Sequence, residues 1–115
     1  MKRISFLFLL FFSISYISCS SCDGEDPSVI LRNNGTDKAD IQIKTSGGNT
    51  ENINNILPGN ESDKRFFAPG DIEFTVTIQG VKDPVVYTLN TTTCRDYLVT
   101  INPDNTVSGN GNDRD

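Results

Sequence analysis

Asp71-Ile72-Glu73-Phe74-Thr75-Val76-Thr77-Ile78-Gln79 alternates apolar and polar side chains without interruption. A period of two puts Ile72, Phe74, Val76 and Ile78 on one face of a β-strand, and Glu73, Thr75, Thr77 and Gln79 on the other. Its β-branched and aromatic residues suit a pleated, half-buried surface. Pro69-Gly70 turns the chain ahead of it, and Asp83-Pro84 breaks the chain after it.

Weaker copies of this pattern lie on both sides. Ala39, Ile41 and Ile43 alternate with Asp40, Gln42 and Lys44. Ahead of them, residues 28–32 make a short strand that ends in the turn Asn33-Asn34-Gly35-Thr36, where Asn and Gly accept positive φ. Residues 50–57 are less regular, because Ile53, Ile56 and Leu57 are diluted by asparagines. Residues 62–68 read as a strand in which either Phe66 or Phe67 points inward. Residues 85–89 follow, then residues 95–101 with Tyr97, Val99 and Ile101 on one face, then a short end at Thr106-Val107. Strand signals at roughly eight- to twelve-residue intervals predict an all-β fold. The expected architecture is a single antiparallel two-sheet sandwich of about seven strands over residues 28–107. An eight-stranded barrel and a transthyretin-like sandwich are the alternatives that this pattern leaves open. Residues 108–115 are small and polar and are expected to form a disordered tail.

The N-terminus has a different character. Lys2 and Arg3 precede an apolar run at residues 4–12, which passes through a serine-rich stretch to Ser18-Cys19. Charged start, apolar stretch and small residue form an export signal over residues 1–18. The run is shorter than the roughly 20 apolar residues that span a bilayer. A cysteine directly after the small residue can take a diacylglycerol on its thiol, so Cys19 is the predicted lipidation site. Residues 19–27 then form a flexible acidic tether.

Two resemblances follow from these residues. Cys19-Ser20-Ser21 followed by Asp23-Gly24-Glu25-Asp26 resembles the start of lipoproteins of the Bacteroidota. That resemblance implies several acyl chains, palmitate among them, and placement on the outer face of the cell outer membrane. Asn33-Asn34-Gly35-Thr36, Leu57-Pro58-Gly59-Asn60-Glu61-Ser62 and Ala68-Pro69-Gly70 resemble the turns of small immunoglobulin-like domains of bacterial exported proteins. The chain departs from the antibody pattern in having no Trp.

Once Cys19 is assigned to lipid, Cys22 and Cys94 remain as an even pair in a disulfide-permissive compartment. They are either bonded to one another or free, with Cys94 a small buried apolar residue.

Charge and composition exclude several functions. Loss of Lys2 and Arg3 with the signal leaves eight basic against fifteen acidic residues, so the net charge moves from −5 to −7. Such a chain is repelled by phosphate backbones, and no nucleic-acid partner is expected. The sequence has no histidine, which removes Ser-His-Asp and Cys-His catalysis and imidazole metal sites. No glycine-rich phosphate loop is present. Glu51, Glu61 and Glu73 are the candidates for paired-carboxylate chemistry. For calcium, the hard ligands are Asp23, Glu25 and Asp26 in one cluster and Asn102, Asp104 and Asn105 in another, neither with EF-hand spacing. No cofactor or metal is expected.

Phe74 and Tyr97 fall on core faces, so Phe66, Phe67 and Tyr87 are the candidate partner contacts. Thr75, Thr77, Thr88 and Thr91-Thr92-Thr93 are read as a polar sheet face. The expected protein is a lipid-anchored envelope module that binds or supports without catalysis. Its partners would be the membrane, through the N-terminal lipid, and an envelope protein or polysaccharide. The alternatives are a small carboxylate-dependent glycan hydrolase and a secreted, unanchored inhibitor-like domain.

Overall fold

The computed structural model describes residues 22–114; the predicted signal and Cys19 lie outside them. The chain forms β1 (Ser28–Asn33), β2 (Ala39–Lys44), β3 (Thr50–Ile56), β4 (Arg65–Phe66), β5 (Gly70–Ile78), β6 (Val85–Thr91), β7 (Arg95–Ile101) and β8 (Val107–Asp113). Two four-stranded sheets stack as a sandwich, in the orders β4-β1-β7-β8 and β3-β2-β5-β6. All pairings are antiparallel except β1 with β7, which run parallel with Val29 beside Tyr97 and Leu31 beside Val99.

The core is what the alternation predicts. Val29, Leu31, Ile41, Ile43, Ile72, Phe74, Val76, Ile78, Val99 and Ile101 are all buried between the sheets. Full burial of such side chains contributes about 1.5–3 kcal/mol each, set against the entropy of ordering the chain. Tyr97 and Leu89 close the core at one end, and Tyr87 packs on Phe74 with ring centroids 6.5 Å apart.

β3 is a strand despite its asparagines, and a bulge explains why. Ala39 pairs with Ile56 and Ile41 with Ile53, so one residue of β2 faces two of β3. Ile53 and Ile56, three apart, cannot share a face of a regular strand; the extra residue turns both toward the core. Asn55 supplies the positive φ of 60° that this requires, and its N–H donates to the Asp40 carboxylate at 2.7 Å.

Several expectations are corrected. The strand expected at residues 62–68 shrinks to Arg65–Phe66. Upstream of it, Ser62 exchanges bonds with Leu31, its N–H donating to the Leu31 carbonyl at 2.8 Å and its hydroxyl accepting the Leu31 N–H at 3.0 Å. Thr91 is buried, not part of a wet face; its hydroxyl donates to the Gly70 carbonyl at 2.8 Å.

The tail expected to be disordered is instead β8, an edge strand paired along its whole length with β7. Gly109 and Gly111 face inward, where a Cβ would lie 2.8 Å from the Tyr87 hydroxyl and 2.6 Å from the Tyr97 ring. Glycine lets this strand lie flat on two tyrosines, so its small residues reflect close packing. The expected tether is also corrected. From Cys22 onward it is fixed to the body by a Cys22–Cys94 disulfide with Cα atoms 5.8 Å apart.

Asn33, expected only as a turn residue, is wholly buried. Its amide donates to the carbonyls of Asp37 at 2.9 Å and Ile56 at 2.8 Å, and accepts the Gly35 N–H at 2.8 Å. It joins the end of β1 to the end of β3 and shapes the turn between β1 and β2.

Two stability predictions follow from this packing. Gly111→Ala gains about 0.4–1 kcal/mol from a stiffer unfolded chain but incurs about 1–3 kcal/mol of overpacking against Tyr97. Urea denaturation should therefore show net loss, whereas Gly47→Ala, with open space around it, should lose nothing. Asn33→Leu leaves the buried Ile56 carbonyl unpaired at about 1–3 kcal/mol, removes the bonds to the Asp37 carbonyl and the Gly35 N–H, and should lower the urea midpoint more than Gly111→Ala does.

Candidate functional site

The strand directions divide the molecule into two ends. β1 and β7 begin, and β6 and β8 finish, at the end where Cys22 joins the body. This end, called the anchor end because Cys22 follows the expected lipid site Cys19 in sequence, also carries the residue 45–49 loop, the residue 67–69 turn and the residue 92–94 turn. The loops at residues 34–38, 57–60, 79–84 and 102–106 lie at the opposite, distal end.

The anchor end is built around Arg114. Its guanidinium donates to the Asp96 carboxylate at 2.8 Å, the Glu25 carboxylate at 3.1 Å, the Asp26 carbonyl at 3.1 Å and the Arg95 carbonyl at 3.2 Å. It also sits over the Phe66 ring, 5.8 Å from the centroid. Asp96 accepts a second bond from the Ser28 hydroxyl at 2.6 Å. The backbone completes the tie. Cys94 N–H donates to the Glu25 carbonyl at 2.9 Å, Arg114 N–H to the Cys94 carbonyl at 2.9 Å, and Phe67 N–H to the Pro27 carbonyl at 3.1 Å. Residues 25–27, the disulfide, the start of β7 and the residue after β8 thus form one knot. None of Arg114, Asp96 and Ser28 stood out in the sequence. The one available signal was a single cation in the otherwise small and acidic run Asn110-Gly111-Asn112-Asp113-Arg114.

The candidate contacts separate. Phe66 is 58% exposed, Tyr87 is half-buried against Phe74 and Gly109, and Phe67 is only 4% exposed. Phe67 is therefore a core residue and drops out as a contact surface.

The candidate carboxylates do not converge. Glu51 pairs with Arg65 at 2.9 Å, linking β3 to β4 across one open side of the sandwich. Glu61 pairs with Arg32. Glu73 lies between Lys44 and Thr88 on the outer face of its sheet, beside Asp71, in a shallow depression that Thr45 also lines. Acid–base work by two carboxylates relies on different environments for the two. Asp71 and Glu73 are both exposed, and Asn90 donates to Asp71 at 2.7 Å.

Four of the calcium candidates have other partners. Glu25 faces Arg114. At the distal end, Asp104 accepts from the Thr106 hydroxyl at 2.6 Å, Asn102 donates to the same hydroxyl at 3.1 Å, and Asn105 accepts the Thr36 N–H at 3.0 Å. Among the described residues, no three His, Cys, Asp or Glu side chains are grouped to hold a metal, and no helix is long and apolar enough to cross a membrane.

A second depression, of about 240 Å³, lies on the outer face of the β1 sheet, lined among others by Ile30, Leu98, Arg32, Lys64 and Asp96. Comparison with known proteins finds no matching family model and no matching curated protein.

The Ser28 hydroxyl, followed by the Arg114 guanidinium, holds the Asp96 carboxyl below the ordinary carboxylate range. A carboxylate with a lower pKa in the folded state contributes stability that is fully present above the unfolded value of about 3.9. That contribution fades as the pH falls through the lower folded value. An NMR titration of the Asp96 carboxyl should therefore give a midpoint under the ordinary range, rising toward it in Ser28→Ala. An ordinary midpoint in the wild type would mean the knot does not form in solution.

Proposed function

We propose that this chain is a lipid-anchored protein of the cell envelope, held through Cys19 at the outer face of the outer membrane, whose β-sandwich binds or supports a partner without catalysis. The observation that carries this reading is the cysteine pairing. Cys22 and Cys94 are bonded to each other, and the third cysteine of the sequence, Cys19, follows directly on the charged-apolar-small order of an export signal. A disulfide that closes a 72-residue separation also fits an oxidising compartment outside the cytosol.

The absence of catalysis is supported by the engagement of Glu51 and Glu61 in separate ion pairs and by the open setting of Glu73. The outer-face placement rests on the acidic stretch Asp23-Gly24-Glu25-Asp26 after the cysteine. The turn pattern supports an immunoglobulin-like variety of sandwich, and an envelope protein or polysaccharide is the class of partner; exposed Phe66 lies at the Cys22 end, under Arg114.

Cells expressing the full chain should incorporate an alkyne-palmitate label into it. Cys19→Ala should abolish the label and move the protein from the detergent phase to the aqueous phase. Added protease should degrade the wild-type protein in intact cells. Retention of the label in Cys19→Ala would overturn the assignment of the thiol, and recovery of unlabelled wild type from aqueous fractions would overturn the anchoring.

A further inference from the structure

We infer that the disulfide and the Arg114 knot shorten the membrane leash to the stretch between Cys19 and Cys22, so that the anchor end of the sandwich rests at the lipid headgroups and the distal loops are the part presented outward. This rests on the anchoring reading above and adds the orientation and reach of the anchored body.

The argument is one of chain length. A free tether over residues 19–27 would span roughly 28 Å when extended, at about 3.3–3.6 Å per residue. Residues 22–27, however, belong to the folded body. Cys22 is bonded to Cys94. The Glu25 carbonyl accepts from Cys94, and its carboxylate pairs with Arg114. The Asp26 carbonyl accepts from Arg114, and Pro27 is buried with its carbonyl on Phe67. What remains is three residue steps, about 10 Å at full stretch.

The leash is attached at one extreme of the body, beside the residue 92–94 turn. The longest strand, β5, has nine residues and spans about 26–27 Å over its eight steps, at 3.2–3.4 Å per residue. The distal loops therefore stand well beyond the reach of the leash, whereas the anchor-end turns lie within it. The occupant facing the anchor end is the lipid headgroup layer to which Cys19 is joined.

The absence of Trp in the sequence makes a clean test available. Thr93→Trp places one emitter in an exposed anchor-end turn, and Lys82→Trp places one in an exposed distal loop. Each full-length lipidated variant is reconstituted into phosphatidylcholine vesicles with or without a headgroup-nitroxide phosphatidylcholine, which quenches only at close range.

The expected result is loss of most of the Thr93→Trp emission with no change for Lys82→Trp. Adding Cys22→Ser and Cys94→Ser should lengthen the leash to Glu25, about 20 Å, and relieve the Thr93→Trp quenching. If the protein floats with vesicles but Thr93→Trp stays bright, or both reporters are quenched alike, the orientation is wrong and the anchoring stands. Unrelieved quenching in the variant that lacks Cys22 and Cys94 but keeps Cys19 would show that the disulfide does not set the reach. If the wild type fails to float with vesicles, anchoring and orientation both fall.

Discussion

The tie between the two ends of the chain governs the geometry of the whole molecule. Residues 22–27 and residue 114 meet at Cys94, and the bonds they make there differ greatly in weight. Exposed ion pairs such as Arg114 with Glu25 contribute little, because water and salt screen them. The disulfide, closing a loop of 72 residues of separation, is worth about 4 kcal/mol in the chain-entropy account. Cys94, in the residue 92–94 turn, has a positive φ of 62°, a conformation that costs a non-glycine residue roughly 1–2 kcal/mol, less than the bond contributes. Arg114 then holds residues 25 and 26 against the start of β7, because its guanidinium engages Glu25, Asp26, Arg95 and Asp96 together.

Closing a small tryptophan-free sandwich sets a second requirement, since each sheet has two edges that can pair with foreign strands. Each edge is handled differently. β4 is only two residues long. β3 is bent by its bulge and tied to β4 by Glu51 and Arg65. On the other side, β6 and β8 meet through Tyr87 and Leu89 against Gly109. Gly109 lets this edge strand of one sheet lie close over Tyr87 of the other, and that side of the sandwich is shut by contact between the sheets.

Much of this was legible in the residues. β2, β5 and β7 each bury one face of a strict alternation, and period-two reading recovered their core residues because burial acts on one side of a pleat. The misses have physical causes. The spacing of Ile53 and Ile56 looks irregular until a bulge at Asn55 restores both to one face. Gly109 and Gly111 look like tail composition because a close approach to a ring leaves no side chain to read. Phe66 and Phe67 are adjacent, so alternation says that one is inward without saying which; the docking of Phe67 N–H on Pro27 decides it. The knot at Arg114 joins residues 88 and 89 positions apart, and no local pattern encodes such a contact.

The same tie decides what would hold the body near a membrane under the proposed anchoring. The processed chain carries eight basic against fifteen acidic residues, so anionic headgroups repel it. That repulsion is screened over about 8 Å at physiological ionic strength. The leash of three residue steps reaches about 10 Å. Over that distance the repulsion has largely decayed, and it neither draws the body down nor stretches the chain further. A leash ending at residue 27 would have let the sandwich wander nearly three times as far. Position would then be a property of covalent structure, set where Cys22 meets Cys94.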